Sequence, residues 1–76
     1  MQVTIERIRE NLKEYKVCSE CLLINKRDNT ECHTCKSKKF ESSTLSVKLS
    51  IDDYINFFIY EEGLSYKQSL QKKVRV

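Results

Sequence analysis

Four cysteines, Cys18, Cys21, Cys32 and Cys35, follow the pattern C-x2-C-x10-C-x2-C. A C-x-x-C turn curls so that both of its sulfurs face one point. Two such turns supply four thiolates at the corners of a tetrahedron, the ligand set of a structural zinc ion. Protein sulfur fills all four positions and leaves none for water or substrate, so the pattern points to a structural ion rather than a catalytic one. Other chemistries use the same residues. Four thiolates suit iron as well as zinc, and an even cysteine count permits disulfides. A redox C-x-x-C usually opens a helix of a larger βαβ domain, for which this chain has no room. The stretch from Met1 to Glu10 is charged and lacks the apolar run of a signal peptide. A reducing intracellular compartment, cytoplasmic or nuclear, is therefore expected, and disulfides are rare there. One structural zinc ion is the expected cofactor. His33 lies between Cys32 and Cys35. Four sulfurs complete the shell without it, so it is expected at the surface or, at most, in place of a neighbouring sulfur.

The elements that must position these sulfurs have little chain to draw on. Seventy-six residues make one domain, 1–76, with a core too small to outweigh its conformational entropy easily. A bound metal is a common remedy, because its binding energy becomes folding energy. Hydrophobic residues make up 39% and charged residues 33%, which excludes a disordered chain, and no apolar stretch is long enough to span a bilayer. The formal net charge of +3 permits contact with nucleic acid without arguing for it. With one glycine and no proline, the turns must lean on Asn, Asp and Ser.

Three segments follow. Ile5, Ile8, Leu12 and Tyr15 recur at three- and four-residue steps among charged residues, predicting an amphipathic helix within residues 1–14, from about 4 to 14. Residues 15–40 hold the metal module, with two short strands around the cysteine turns. In residues 41–76, Leu45, Val47, Leu49 and Ile51 alternate with polar residues as in a half-buried strand, and Asp52 and Asp53 resemble a turn. Tyr54 to Tyr60 favours a returning strand by composition. A helix competes there, because Ile51, Ile55, Phe58 and Ile59 share a helical face and Ser50 with Asp53 offers a cap. After Gly63, Ser65 and Gln68 offer a capping box for a last helix over about 66 to 73, followed by a basic tail of Lys72, Lys73 and Arg75. The expected fold class is small, metal-stabilised α+β: a four-cysteine zinc ribbon or finger flanked by an N-terminal helix, a C-terminal β-hairpin and a short helix.

The metal module resembles the Ran-binding-protein type of zinc finger. The pattern Cys18-x2-Cys21-x3-Asn25-x6-Cys32-x2-Cys35 includes that family's asparagine, and Leu22, Leu23, Asn25 and Lys26 are similar to its nuclear-pore members. The likeness covers residues 15–40 alone. It implies a binding module whose recognition surface includes Leu22, Leu23 and Asn25. Members with Thr-Phe at the place of Leu22 and Leu23 bind ubiquitin, which this chain does not match. Members that bind single-stranded RNA carry an aromatic after the asparagine and a pair of arginines, whereas Lys26, Arg27 and Asp28 stand here. Lys16 replaces the family's tryptophan, and Leu22 and Lys36 follow the paired cysteines where neither turn has a glycine.

Apart from any family, a module of this size has almost no interior, so Leu22 and Leu23 cannot both be buried inside it. One is expected to pack against flanking elements and the other to anchor a partner. Asn25 also suits an Asx-turn within the loop. Lys26, Arg27, Lys36, Lys38 and Lys39, with Phe40 for base stacking, form the alternative nucleic-acid surface. Their simpler reading is a solvated basic face with Phe40 in the core, since Glu31 and Glu41 dilute the charge. Two functions follow: a zinc-binding interaction module that docks on a protein partner or multi-subunit assembly, or a nucleic-acid-binding zinc ribbon serving transcription, replication or translation. No nucleophile–base pair or paired carboxylates suggest an enzyme or a small-molecule substrate, and no membrane association is expected.

Overall fold

In a computed structural model of the chain, which describes residues 1–76, the first helix is shorter than its periodicity predicts. The Thr4 hydroxyl accepts from the Arg7 N–H at 3.1 Å and caps α1, Ile5–Glu10. Asn11 ends the helix, and Leu12–Glu14 make one 3-10 turn. The shortening has a tertiary cause: Tyr15 must become extended to enter strand β2, Tyr15–Cys18. Before α1 lies β1, Gln2–Thr4. Ile5 and Ile8 still carry the buried stripe their spacing requires.

Strand β2 is the centre of a three-stranded antiparallel sheet, between β3 (Ile24–Lys26) and β4 (Phe40–Glu41). Lys16 stands opposite Asn25, and Val17 lies between Ile24 and Glu41. This small sheet brings both cysteine turns to one end of β2.

The expected C-terminal hairpin is corrected. Residues 45–60 do not form two strands; they lie in one helix, α2, Thr44–Glu62. Ser43, rather than Ser50, caps it by accepting from the Ser46 N–H at 3.1 Å. Asp52 and Asp53 are exposed helical positions, not a turn. The alternation from Leu45 to Ile51 misleads because Val47 and Ile51 also stand one helical turn apart. They continue into Ile55 and Phe58 as a single buried stripe, while Leu45 and Leu49 are exposed. The helix stops at Gly63, whose φ of 69° is left-handed and whose N–H donates to the Phe58 carbonyl.

The capping box of Ser65 and Gln68 forms and starts α3, Tyr66–Leu70, shorter than expected. The residues read as a basic tail form strand β5, Lys73–Arg75, antiparallel to β1 with Val3 opposite Val74. The core sits where α2 crosses β2 and α1: Val47, Ile51, Ile55 and Phe58 meet Ile5, Ile8, Tyr15, Val17 and Ile24. Burial of each such side chain contributes about 1.5–3 kcal/mol. No helix is long and apolar enough to cross a membrane.

Candidate metal centre

The two cysteine turns are built alike, bond for bond. The Leu22 N–H donates to the Cys18 carbonyl at 2.9 Å, and the Lys36 N–H to the Cys32 carbonyl at 3.1 Å. The Cys18 N–H reaches the Leu23 carbonyl at 2.9 Å, as the Cys32 N–H reaches the Ser37 carbonyl at 2.8 Å. The Glu20 N–H points at Cys18 Sγ (3.4 Å) and the Thr34 N–H at Cys32 Sγ (3.5 Å). Leu22 and Lys36 take the left-handed backbone, at φ 63° and 66°. Neither is glycine, so each turn carries strain on the order of 1–2 kcal/mol that the surrounding bonds must hold.

These turns bring the four sulfurs within 4.8 Å of one another. Cys18 and Cys35 stand 3.4 Å apart at Sγ, and Cys21 and Cys32 3.5 Å. Zinc–sulfur bonds of about 2.3 Å in a tetrahedron require sulfurs about 3.8 Å apart, so the cage fits such an ion after small adjustments. No disulfide joins any of the four cysteines.

Electrostatics says the same. Burial pushes the Cys32 thiol up, but N–H groups of Thr34 and Cys35 and the Asn25 amide more than offset it, leaving its pKa at about 6. Cys18 is likewise lowered: burial opposes ionisation, and the N–H groups of Cys21 and Glu20 outweigh it. Burial raises Cys21 to about 12, with Cys32 adding to the rise. At Cys35 the Ser37 N–H favours the thiolate, yet Cys18 beside it and desolvation carry the pKa upward. In each close pair, then, one sulfur is shifted toward the thiolate and its neighbour toward the thiol. A central divalent cation removes that conflict and lets all four sulfurs ionise.

Asn25 is fully buried and ties β3 to both turns. Its Oδ1 accepts from the His33 N–H at 2.9 Å and from Asn29 Nδ2 at 3.0 Å. Its Nδ2 donates to the Leu23 carbonyl at 3.1 Å and lies 3.6 Å from Cys32 Sγ. The expectation that Asn25 belongs to a partner surface is therefore corrected: a side chain with no exposed area touches no partner. It orients the Cys32 sulfur within the cluster instead.

The paired leucines separate as the shortage of interior requires. Leu22 is 60% exposed, while Leu23 is half-buried. His33 is not among the clustered sulfur ligands. Its Nε2 lies 3.0 Å from the Ile24 carbonyl and its Nδ1 2.8 Å from the Thr34 hydroxyl. On the same side of β3, the Tyr54 hydroxyl accepts from the Ile24 N–H at 2.9 Å, and the Val76 carbonyl accepts from the Lys26 N–H at 3.1 Å. The outer edge of β3 is thereby closed. Burial raises the Tyr54 phenol pKa, partly offset by that Ile24 N–H. Neither His33 nor Tyr54 carries a spacing signal for this role.

The basic residues differ in their surroundings. Arg27 turns its guanidinium back onto the chain, donating to the carbonyls of Lys13 (2.6 Å) and Ser42 (3.0 Å). Phe40 is half-buried under the Lys16 ammonium, 3.8 Å from the ring centroid, so its face is occupied. Lys26 is half-buried, whereas Lys36, Lys38 and Lys39 are exposed. No protein-family model, curated protein or solved structure matches the chain.

Proposed function

We propose that this chain is a zinc-stabilised interaction module that docks on a protein partner or larger assembly. The observation that carries the reading is a closed four-cysteine cluster on a chain that keeps several large apolar side chains exposed. The cysteines are committed to one another and, with a zinc ion, to stability, while Leu22, Leu45, Leu49 and Phe57 stand more than half exposed. Isolated exposed leucines are ordinary; what supports docking is Leu22, which adjoins a cysteine turn, and Phe57, which lines an apolar groove. The ion would be held by Cys18, Cys21, Cys32 and Cys35 and would supply rigidity rather than chemistry. The likeness of residues 15–40 to Ran-binding-protein-type fingers belongs to this proposal, with Leu22 as the exposed member of the apolar pair. Free cysteines in a metal cage suit a reducing compartment.

Native mass spectrometry of the chain loaded with zinc or iron reads the metal, with one zinc ion per chain expected. The docking reading is tested by recovering partners on the tagged, zinc-loaded chain from its native extract, with and without nuclease. A defined protein that survives nuclease and high salt, and is lost with Leu22→Asp plus Leu23→Asp, supports the reading. Recovery that vanishes with nuclease or salt sinks it, because steep salt dependence is the signature of phosphate contacts.

A further inference from the structure

An apolar groove of about 490 Å³ lies between the cysteine turns, α2 and β5. Leu23, Tyr54, Phe57, Phe58 and Val74 supply its apolar walls, and Lys72, Lys73 and Arg75 line its β5 side. The volume falls within the range of clefts that receive ligands. Phe57 is more than half exposed and packs edge-on against Phe58, with ring centroids 5.7 Å apart. One rim position of the groove was legible in the sequence as part of a partner surface, Leu23. The rest requires the helix that composition alone did not favour.

The strand along this groove has an open edge. Strand β5 pairs with β1 and with no other strand. The Ile5 N–H donates to the Lys72 carbonyl and the Val76 N–H to the Met1 carbonyl, both at 3.1 Å. The Lys72 carbonyl, the backbone groups of Val74 and the Val76 N–H therefore face β1, and Lys73 and Arg75 turn theirs away. No residue of β1 lines the groove, whereas Lys72 and all three residues of β5 do, which sets the unpaired edge of β5 on the groove side. The contrast with β3 is direct, because side chains and the Val76 carbonyl satisfy that edge.

Charge selects the occupant. Lys73 and Arg75 form no ion pair, and Lys72 meets Glu62 at 3.1 Å. Asp53 is the one acidic residue lining the groove. We infer that the groove binds an extended, acidic peptide segment of a partner protein, which adds as a strand to β5 and seats an aliphatic or aromatic anchor against Phe57, Phe58 and Leu23. Main-chain bonds to Lys73 and Arg75 supply affinity, and the apolar pocket and basic rim supply selection. Nucleic acid fits less well: an alternating row of N–H and C=O groups matches a peptide backbone and not a sugar–phosphate one. This inference rests on the interaction-module reading and names the partner's chemistry.

A phage-displayed library of random short peptides, panned against the full zinc-loaded chain, tests it. Enriched peptides are expected to be acidic with apolar residues at alternate positions, and to slow hydrogen exchange at the amides of Lys73 and Arg75. Phe57→Ala is expected to weaken the best peptide about tenfold. Lys73→Pro removes an outward N–H while sparing the Val74 pairing, and is expected to weaken it about tenfold as well. Lys73→Ala retains that N–H and is expected to weaken binding by about threefold or less, through lost charge alone. Cobalt spectra and circular dichroism verify that each variant is folded. Selected peptides without acidic residues, or binding indifferent to Phe57→Ala and Lys73→Pro in folded protein, would overturn the inference. So would an oligothymidylate that binds through the same residues while no peptide is enriched. If the extract partner is still captured by the Phe57→Ala and Lys73→Pro variants, the groove assignment fails and the interaction module stands. If no protein is captured by any form, the module reading itself fails.

Discussion

Asn25 uses all four of its hydrogen-bonding positions inside the metal module, two accepting and two donating. The gathering of the four cysteines was legible in the sequence, because paired C-x2-C turns of this spacing are the pattern of a tetrahedral sulfur site. The role of Asn25 was not, since spacing does not reveal burial, and an asparagine near a cysteine turn suits a surface, an Asx-turn or an interior equally. The structure decides for the interior, and a one-atom substitution checks it. Asn25→Asp keeps the shape and the acceptors but loses both donors and places a carboxylate beside the Cys32 sulfur. Asn25→Ala leaves the His33 N–H without its partner and the Leu23 carbonyl with the Cys18 N–H alone. Each variant is expected to lose about 2–4 kcal/mol of stability in urea unfolding, and the aspartate to bind zinc more weakly in competition with a chromophoric chelator. A surface residue would change stability by about 0.5 kcal/mol or less, so a change that small in both variants would return Asn25 to the surface role.

At the scale of elements, the short first helix and the long second one share a cause. Local pattern sets the tendency, and the neighbour each segment packs on decides the outcome. The stripe of α1 was legible, but its end was not, because the demand that Tyr15 join β2 comes from the sheet. In α2 the residues Leu45, Val47, Leu49 and Ile51 satisfy both a two-residue and a four-residue period, and β-branched and aromatic composition favoured the wrong one. Packing against β2 and α1 resolves the ambiguity in favour of the helix, because Val47, Ile51, Ile55 and Phe58 then fill one continuous core. Two substitutions separate the alternatives. On a strand, Leu49 and Ile51 share a face and would cost about the same when truncated. On the helix, Ile51 is 2% exposed and Leu49 is 57% exposed. Ile51→Ala is expected to cost about 2–4 kcal/mol in chemical unfolding, and Leu49→Ala within about 0.5 kcal/mol of zero. Equal costs would restore the hairpin.

Across the whole molecule, the burial that can supply stability is unevenly spread. The ribbon of β1 and β5, with α1, α2 and α3, surrounds a continuous apolar core that also takes in Tyr15, Val17 and Ile24. Between residues 19 and 39 the buried residues are Ile24, Asn25 and Cys32, far too few to order that segment by burial. The cysteine turns also hold Leu22 and Lys36 in left-handed backbone against their preference. A cation in the cage is what can outweigh these costs, because its binding energy is gained only when the turns are formed. Chelation therefore acts unevenly. With a strong zinc chelator, hydrogen exchange is expected to lose protection across residues 19–39 while amides of α2 near Ile51 and Ile55 stay slower than in the urea-unfolded chain. The melting temperature is expected to fall as the metal is withdrawn, and to recover when zinc is restored. Unchanged exchange in residues 19–39 would mean that the turns hold without an ion. Simultaneous loss of protection in α2 would mean that the apolar core does not stand without the metal module, and that the two are one cooperative unit.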